Sequence, residues 1–227
     1  QIEKAEGLEV RAGPYKGASE LMYKEDNRIK NSSEIKVWLE SKEGTYDYEI
    51  LKDLDLSNGD YEGIDIQYGD LSKSNMKECK LKNGSFIGTK FIQTILTGAD
   101  LEGATLDHAD FTKSELKDAN MKGVKGSRIN FQDANMENVN LVEALLIYSD
   151  MRNVNLSNAV CTKAALKGVC FEGANLENCN FEGSDLRHSD MRGAKLKGIN
   201  LKNAVLKNTK LLKSDLSFLE LSEEQKT

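Results

Sequence analysis

At 227 residues, 39% of them apolar and 30% charged, the chain holds one large domain or two small ones. A single proline, Pro14, beside 18 glycines excludes the proline-punctuated loops of a conventional α/β enzyme. The net charge of -6 excludes a simple basic nucleic-acid-binding domain and leaves a DNA-mimicking acidic surface open.

Residues 1–50 read as a capping segment or small α/β unit. Leu8 to Arg11 and Tyr46 to Leu51 suit short strands. Asn31-Ser32-Ser33-Glu34 suits a helix start, with Ile35, Trp38 and Leu39 on one face before Gly44 ends the helix. Trp38 reads as a plug over the adjoining core, with an independent recognition domain as the alternative. No run of 18 apolar residues occurs, so no membrane span is expected, and no secretory signal is evident. The start at Gln1 suits a fragment or a processed form, and a removed leader stays open.

From residue 51 to 221 a period of five governs the sequence. Every fifth residue from Leu56 to Leu221 is apolar in 33 of 34 places, and Gly126 alone breaks the rule. Two residues before each such centre the side chain is small or β-branched, as in Ala99, Ala104, Ala109, Ser114 and Cys179; only Leu54 and Leu219 depart. Neither position carries a charge, whereas random placement would put about 20 among these 68 sites. The frame runs from Leu56 to Leu221 without insertion or deletion.

A strand returns to the same face every two residues and a helix every 3.6, so neither fits a period of five. A square coil does, with five residues to a side and 20 to a turn, the centre and the residue two before it pointing inward. The width of the tube then sets residue size: Leu, Phe or Met on the axis, small side chains beside them. Gly and Asn two after the centre, as in Gly98, Gly103, Asn138 and Asn153, suit turns that need a positive φ.

Strings such as Ala99-Asp100-Leu101-Glu102-Gly103 and Ala174-Asn175-Leu176-Glu177-Asn178 resemble the A(D/N)LXX motif of the pentapeptide-repeat family, over roughly three quarters of the chain. The resemblance implies an all-β solenoid, a right-handed quadrilateral β-helix of about 8.5 coils, roughly 40 Å long at the usual strand spacing. A small N-terminal α/β cap (1–50) and a C-terminal tail (222–227) would flank it.

Residues 20 apart should stack. The column Leu71, Phe91, Phe111, Phe131, Met151, Phe171, Met191, Leu211 predicts an aromatic ladder on one inner wall. At Gly126 a gap should open unless Ile129 or a shifted coil fills it, as either a tolerated packing defect or a functional kink. Little sequence remains after Phe218, Leu219 and Leu221 to cover the last coil, which suggests a homodimer through that end. Dimerisation through C-terminal segments in quinolone-resistance members of the family points the same way.

No nucleophile has a partner base at recognisable spacing, no phosphate-binding glycine loop occurs, and neither cofactor nor metal is expected. His108 and His188 fall on one outward column about 19 Å apart, too far to share a metal. Cys79, Cys161, Cys170 and Cys179 lack metal-ligand spacing and read as reduced thiols of a cytoplasmic protein. Asp100, Asp110, Asp185 and Asp190, each just before a centre, read as solvated surface.

One outward edge differs from the other three: its corners read Tyr68, Gly88, His108, Arg128, Tyr148, Gly168, His188, Asn208, and its side adds Ile87, Leu145, Ile147 and Val205. Such residue types favour interfaces. The expected partner-binding residues are therefore Tyr68, Ile87, His108, Arg128, Leu145, Ile147, Tyr148 and His188, with corners that merely tolerate bulk as the alternative. Charge is also polarised. Residues 51–72 carry a net -5 and residues 186–213 a net +7, which either steers association or simply solubilises.

The expected function is a non-catalytic scaffold acting on a protein partner without direct nucleic-acid contact. It would work in the cytoplasm or be secreted as a bacterial effector. The alternative, from the quinolone-resistance branch of the family, is DNA mimicry directed at DNA gyrase.

Overall fold

The computed structural model describes residues 51–212, 219–222 and 225. The expected N-terminal cap with its Trp38 plug, and Phe218, lie outside the described residues. Within them the chain winds as a four-sided coil. Parallel bridges join residues 20 apart, from Asp55↔Asn75 through Asp190↔Lys210, at every residue preceding a centre.

The hydrogen bonds of a single side explain the motif. Over residues 101–105 the Leu101 amide donates to Asn120 O in the next coil (2.7 Å), Gly103 to Lys122 O (2.9 Å) and Thr105 back to Gly84 O (2.9 Å). Ala104 N–H closes the turn on Leu101 O at 3.0 Å. The remaining amide, Glu102 N–H, donates to the Asp100 carboxylate at 3.1 Å. All five donors of the side are thereby satisfied, as a compact backbone requires.

The acidic or amide residue before the centre is thus part of the scaffold rather than solvated surface. Asp110 accepts from Thr112 N–H (2.9 Å), Asp185 from Arg187 N–H (3.1 Å) and Asp190 from Arg192 N–H (3.3 Å). Where Asn stands there, its amide also donates to the coil before: Asn120 Nδ2 to Asp100 Oδ1 at 2.9 Å, and Asn175 Nδ2 to Asn155 Oδ1 at 3.1 Å. This double capacity gives the D/N alternation a physical reason.

The turn closing each side has its third residue at positive φ, the signature of a type II turn. Every such position from 53 to 208 obeys, ten of them glycines and 22 not, including Tyr68, Lys73, Glu78 and Arg128. Left-handed backbone costs a non-glycine residue about 1–2 kcal/mol. Stacking of the coils therefore imposes the turn, and local preference merely eases it.

The axis is dry. Leu101, Leu106, Phe111 and Leu116 are 0% exposed, as are their small neighbours Ala99 and Ala104. Polar side chains among the small inward residues reach carbonyls: Ser74 Oγ donates to Leu51 O (2.8 Å), Thr94 Oγ1 to Leu71 O (2.8 Å) and Ser114 Oγ to Phe111 O (2.8 Å). The aromatic ladder is present. Phe91 and Phe111 stack at 4.6 Å and 6°, Phe111 and Phe131 at 5.0 Å and 15°.

No gap opens at Gly126. A Cβ placed there would stand 2.8 Å from Ile129 Cδ1 and 2.9 Å from the Leu106 carbonyl carbon. Ile129, itself 0% exposed, takes up the space beside Gly126, so the expected gap is replaced by the first of the two exceptions named to it. The local turn changes accordingly: Ile129 N–H donates to Ser149 Oγ at 3.2 Å. Beside it, two sides run straight enough to form strands, β1 (Lys125–Ser127) and β2 (Leu145–Ile147), paired in parallel with Gly126 opposite Leu146.

At the far end, Ala194, Ile199, Leu206 and Leu211 are only partly buried. Near it, Gln225 Nε2 donates to Leu201 O (2.7 Å) and Ala204 O (2.8 Å).

Candidate functional site

The residues singled out from the sequence occupy one long edge of the coil, since stacking at intervals of 20 brings the corners 68, 88, 108 and onward to 208 into a single column. Tyr68 is 67% exposed and Tyr148 50%, while His108, Arg128 and His188 are exposed as well. Leu145, 41% exposed, and Val205, 48% exposed, stand on the same side. Ile87 and Ile147 are half-buried, so they contribute less surface than their positions suggested.

The structure gathers only part of the predicted set. Leu145, Ile147 and Tyr148 lie on and beside β2, with Arg128 next to β1 one coil away, and these four form a compact centre. Tyr68 and His188 lie several coils off in opposite directions along the edge. His108 and His188 remain four coils, about 19 Å, apart. Among the described residues no group of His, Cys, Asp and Glu could hold a metal ion.

An open depression of about 530 Å³ lies at the centre, lined by Arg128, Ile129, Asn130, Tyr148 and Asp150. It lies directly after the irregular turn, where Ile129 N–H donates to Ser149 Oγ. The Asp150 carboxylate on its rim is forked by Arg152, with Nη2 2.5 Å and Nε 2.9 Å from its oxygens. That guanidinium, opposed by partial burial and helped by the Arg152 amide, holds the Asp150 carboxyl below the usual carboxylate range. Asn130 and Asp150 were not legible as surface features, because they sit where the motif demands a turn acceptor. The break at Gly126 was the signal that could have located the depression.

The two tyrosines share a packing arrangement. The ring of Tyr148 takes the space a Cβ on Gly168 would need, with Cδ1 2.5 Å from it, and the ring of Tyr68 does so over Gly88 at 2.6 Å. Each ring reaches over the next coil with its Cδ1–Cε1 edge nearest the glycine, and half or more of the residue stays exposed. Nothing in this edge resembles a catalytic constellation; what it offers is aromatic, aliphatic and guanidinium surface.

Charge distribution adds direction. In the last described coils Arg187 pairs with Asp185 (2.6 Å), Arg192 with Asp190 (2.7 Å) and Lys202 with Glu182 (3.7 Å), while Lys195, Lys197 and Lys207 stand exposed. The first coils expose Asp53, Asp55, Asp60, Glu62 and Asp65. Among the described residues no helix is long and apolar enough to cross a membrane.

The sequence profile described as Pentapeptide repeats matches in 8 copies over residues 85–123, 127–160, 159–198 and 184–217. No curated protein matches the sequence. HetL from the cyanobacterium Nostoc sp., a pentapeptide repeat protein involved in heterocyst differentiation regulation, is similar at 22% identity and TM-score 0.43, over 79% of this chain and 96% of that one. Trypsin-treated QnrB1, a plasmid-mediated fluoroquinolone resistance protein, is similar at 17% identity and TM-score 0.47, over 74% and 88%. Rfr23, a pentapeptide repeat protein from the cyanobacterium Cyanothece, is 27% identical with TM-score 0.34 over 50% of this chain and 64% of its own.

Proposed function

The chain belongs to the pentapeptide-repeat family, and from that premise we propose that it is a non-catalytic scaffold that binds another protein along the Tyr68 to His188 edge. Members of this family fold as right-handed quadrilateral β-helices and serve as binding scaffolds. The observation that carries the reading is where the apolar surface lies: of the seven large hydrophobic side chains exposed among the described residues, Tyr68, Leu145, Tyr148 and Val205 stand on this one side. Monomer surfaces that gather such groups beside Arg mark interaction sites. Arg128 and Tyr148, flanking the depression, are the residue types that dominate interface energetics.

On this reading the site comprises Tyr68, Ile87, His108, Arg128, Leu145, Ile147, Tyr148 and His188, and the protein works in the cytoplasm, of its own cell or, as a bacterial effector, of a host. A pull-down from the native host, with the Tyr148→Ser, Ile147→Ser double variant as control, tests it. Capture of a protein by the parent that the variant loses is expected, and equal capture by both refutes the assignment. DNA mimicry directed at DNA gyrase requires a continuous acidic surface, which the exposed Lys195, Lys197 and Lys207 interrupt. Concentration-dependent inhibition of gyrase supercoiling would restore that reading.

A further inference from the structure

We infer that a second copy of this chain docks on the Tyr68 to His188 edge, laid antiparallel about a two-fold axis that passes between Arg128 and Tyr148. The inference rests on the proposed binding edge and names its occupant.

Charge selects the direction. The first coils carry a net -5 over residues 51–72 and the last a net +7 over residues 186–213. Two rods side by side and parallel would place like charge on like along their length. Turned antiparallel, the acidic end of each copy lies beside the basic end of the other, and the attraction is gained twice. A two-fold pair is also the arrangement that closes on itself, because each contact is made in both directions.

The corner column selects the register. Read downward it runs Tyr, Gly, His, Arg, Tyr, Gly, His, Asn, with its midpoint between Arg128 and Tyr148. Reversed about that midpoint, Arg128 of each copy faces Tyr148 of the other, a guanidinium over an aromatic ring. His108 and His188 face Gly168 and Gly88, the corners over which the rings of Tyr148 and Tyr68 lie, so each imidazole meets an aromatic ring of the opposite copy. In the adjoining row the same operation sets Asp107 against Lys167. No like-charged pair arises along either row.

The midpoint is also where the structure is irregular, with β1, β2 and the depression lined by Arg128 and Tyr148. The axis therefore crosses a recess on the edge, lined by Arg128, Ile129, Asn130, Tyr148 and Asp150, with Leu145 and Ile147 beside it. Seven steps of about 4.8 Å make a strip roughly 34 Å long. Such a strip about 20 Å wide removes roughly 1,400 Å² over two copies, within the range of specific stable interfaces.

Sedimentation velocity of the full chain over a concentration series, at low and high salt, tests the inference with Arg128→Glu and Tyr148→Lys. Both substitutions suit the corner backbone, since Lys73, Lys113, Glu78 and Glu143 already occupy equivalent positions at positive φ. The parent should dimerise, more weakly at high salt. Tyr148→Lys should weaken the dimer at least tenfold, by setting an ammonium against Arg128 twice. Mixing the two single variants should restore dimers as heterodimers, because the new carboxylate of one copy then faces the new ammonium of the other while Arg128 still faces Tyr148. Circular dichroism confirms that each variant is folded.

A parent that stays monomeric at all concentrations overturns the inference, as does a mixture that associates no better than its components. A dimer indifferent to Tyr148→Lys but lost on deletion of residues 219–227 overturns it too, in favour of pairing through the end. A monomeric parent that still captures a host protein through Tyr148 removes the second copy and keeps the scaffold. A Tyr148-dependent dimer that captures nothing keeps the second copy and removes the foreign partner.

Discussion

Replacing Ile129 by alanine should be among the most damaging substitutions of a small inward residue, although alanine is the commonest residue there. At Ala99, Ala104, Ala109, Ala119 and Ala134 an axial Leu, Phe or Met fills the tube, so the neighbouring place needs only a methyl group. At residue 129 the axial partner is Gly126, and Ile129 itself supplies the missing volume. Its truncation removes three buried carbons, about 2.4 kcal/mol at roughly 0.8 per methylene. The Leu106 backbone, already 2.9 Å from the Gly126 Cβ place, limits closure of the resulting cavity. The total should therefore fall in the upper part of the 2–5 kcal/mol range for large-to-alanine changes, near 4 kcal/mol. Val139→Ala, at an equivalent position beside Leu141, removes two buried carbons and should cost only about 1.6 kcal/mol because the axis stays filled. Urea titration of both variants, with melting temperature as a second readout, measures the difference; for a chain of this size about 2.4 kcal/mol corresponds to roughly 7 °C. Equal cost for the two would refute the idea that Ile129 substitutes for an axial side chain.

The Arg192 fork holds the Asp190 carboxyl down to about 2 against an ordinary 3.8, so its contribution is complete above about pH 4 and is lost as pH falls toward 2. Asp190→Asn should flatten the acid limb of stability in that window, measured by thermal melts across pH. Burial pushes the thiols of Cys79 and Cys179 up to about 12 and that of Cys161 well above its ordinary value. Iodoacetamide on the native protein should therefore modify the half-buried Cys170 first, and mass spectrometry of the peptides would show it. Gly63→Ala meets no atom within 4 Å and should cost only its left-handed backbone, about 1 kcal/mol. Gly168→Ala also displaces the Tyr148 ring and should cost about 1 kcal/mol more by denaturant titration; equal costs would show that the ring does not lie there.

The coil was legible because two interior positions recur without charge, and burial at fixed spacing is the strongest signal a sequence carries. The Phe91, Phe111 and Phe131 stack followed from their spacing of 20, and the filling of Gly126 by Ile129 from simple volume. The role of Asp100 and Asp110 was missed. Exposure of the carboxylate and its capture of a backbone amide two residues on leave the same trace in sequence, and only the amide's lack of another partner distinguishes them. The corners misled in the other direction: Gly and Asn suggested which turns need a positive φ, yet Lys73, Glu78 and Tyr68 adopt it as well, because neighbouring coils impose it. The recess at Arg128 was missed although Gly126 marked the place, because a break in the interior pattern does not say how the neighbouring turn will depart from rule. Which edge gathers exposed aromatic and aliphatic side chains was readable; its central relief was not.

Pairing at intervals of 20 with sides of five makes the exterior a matter of phase. Removing one five-residue side would leave every interior contact type intact, yet it would swing all later residues by a quarter turn about the axis. Tyr68 and Tyr148 would then look out in perpendicular directions, and the edge would be severed into two unrelated halves. Removing 20 residues would merely shorten the rod and restore the alignment. Length changes in such a molecule thus fall into two kinds, those that preserve its compass bearing and those that scramble it, and a surface running over many coils admits only the first.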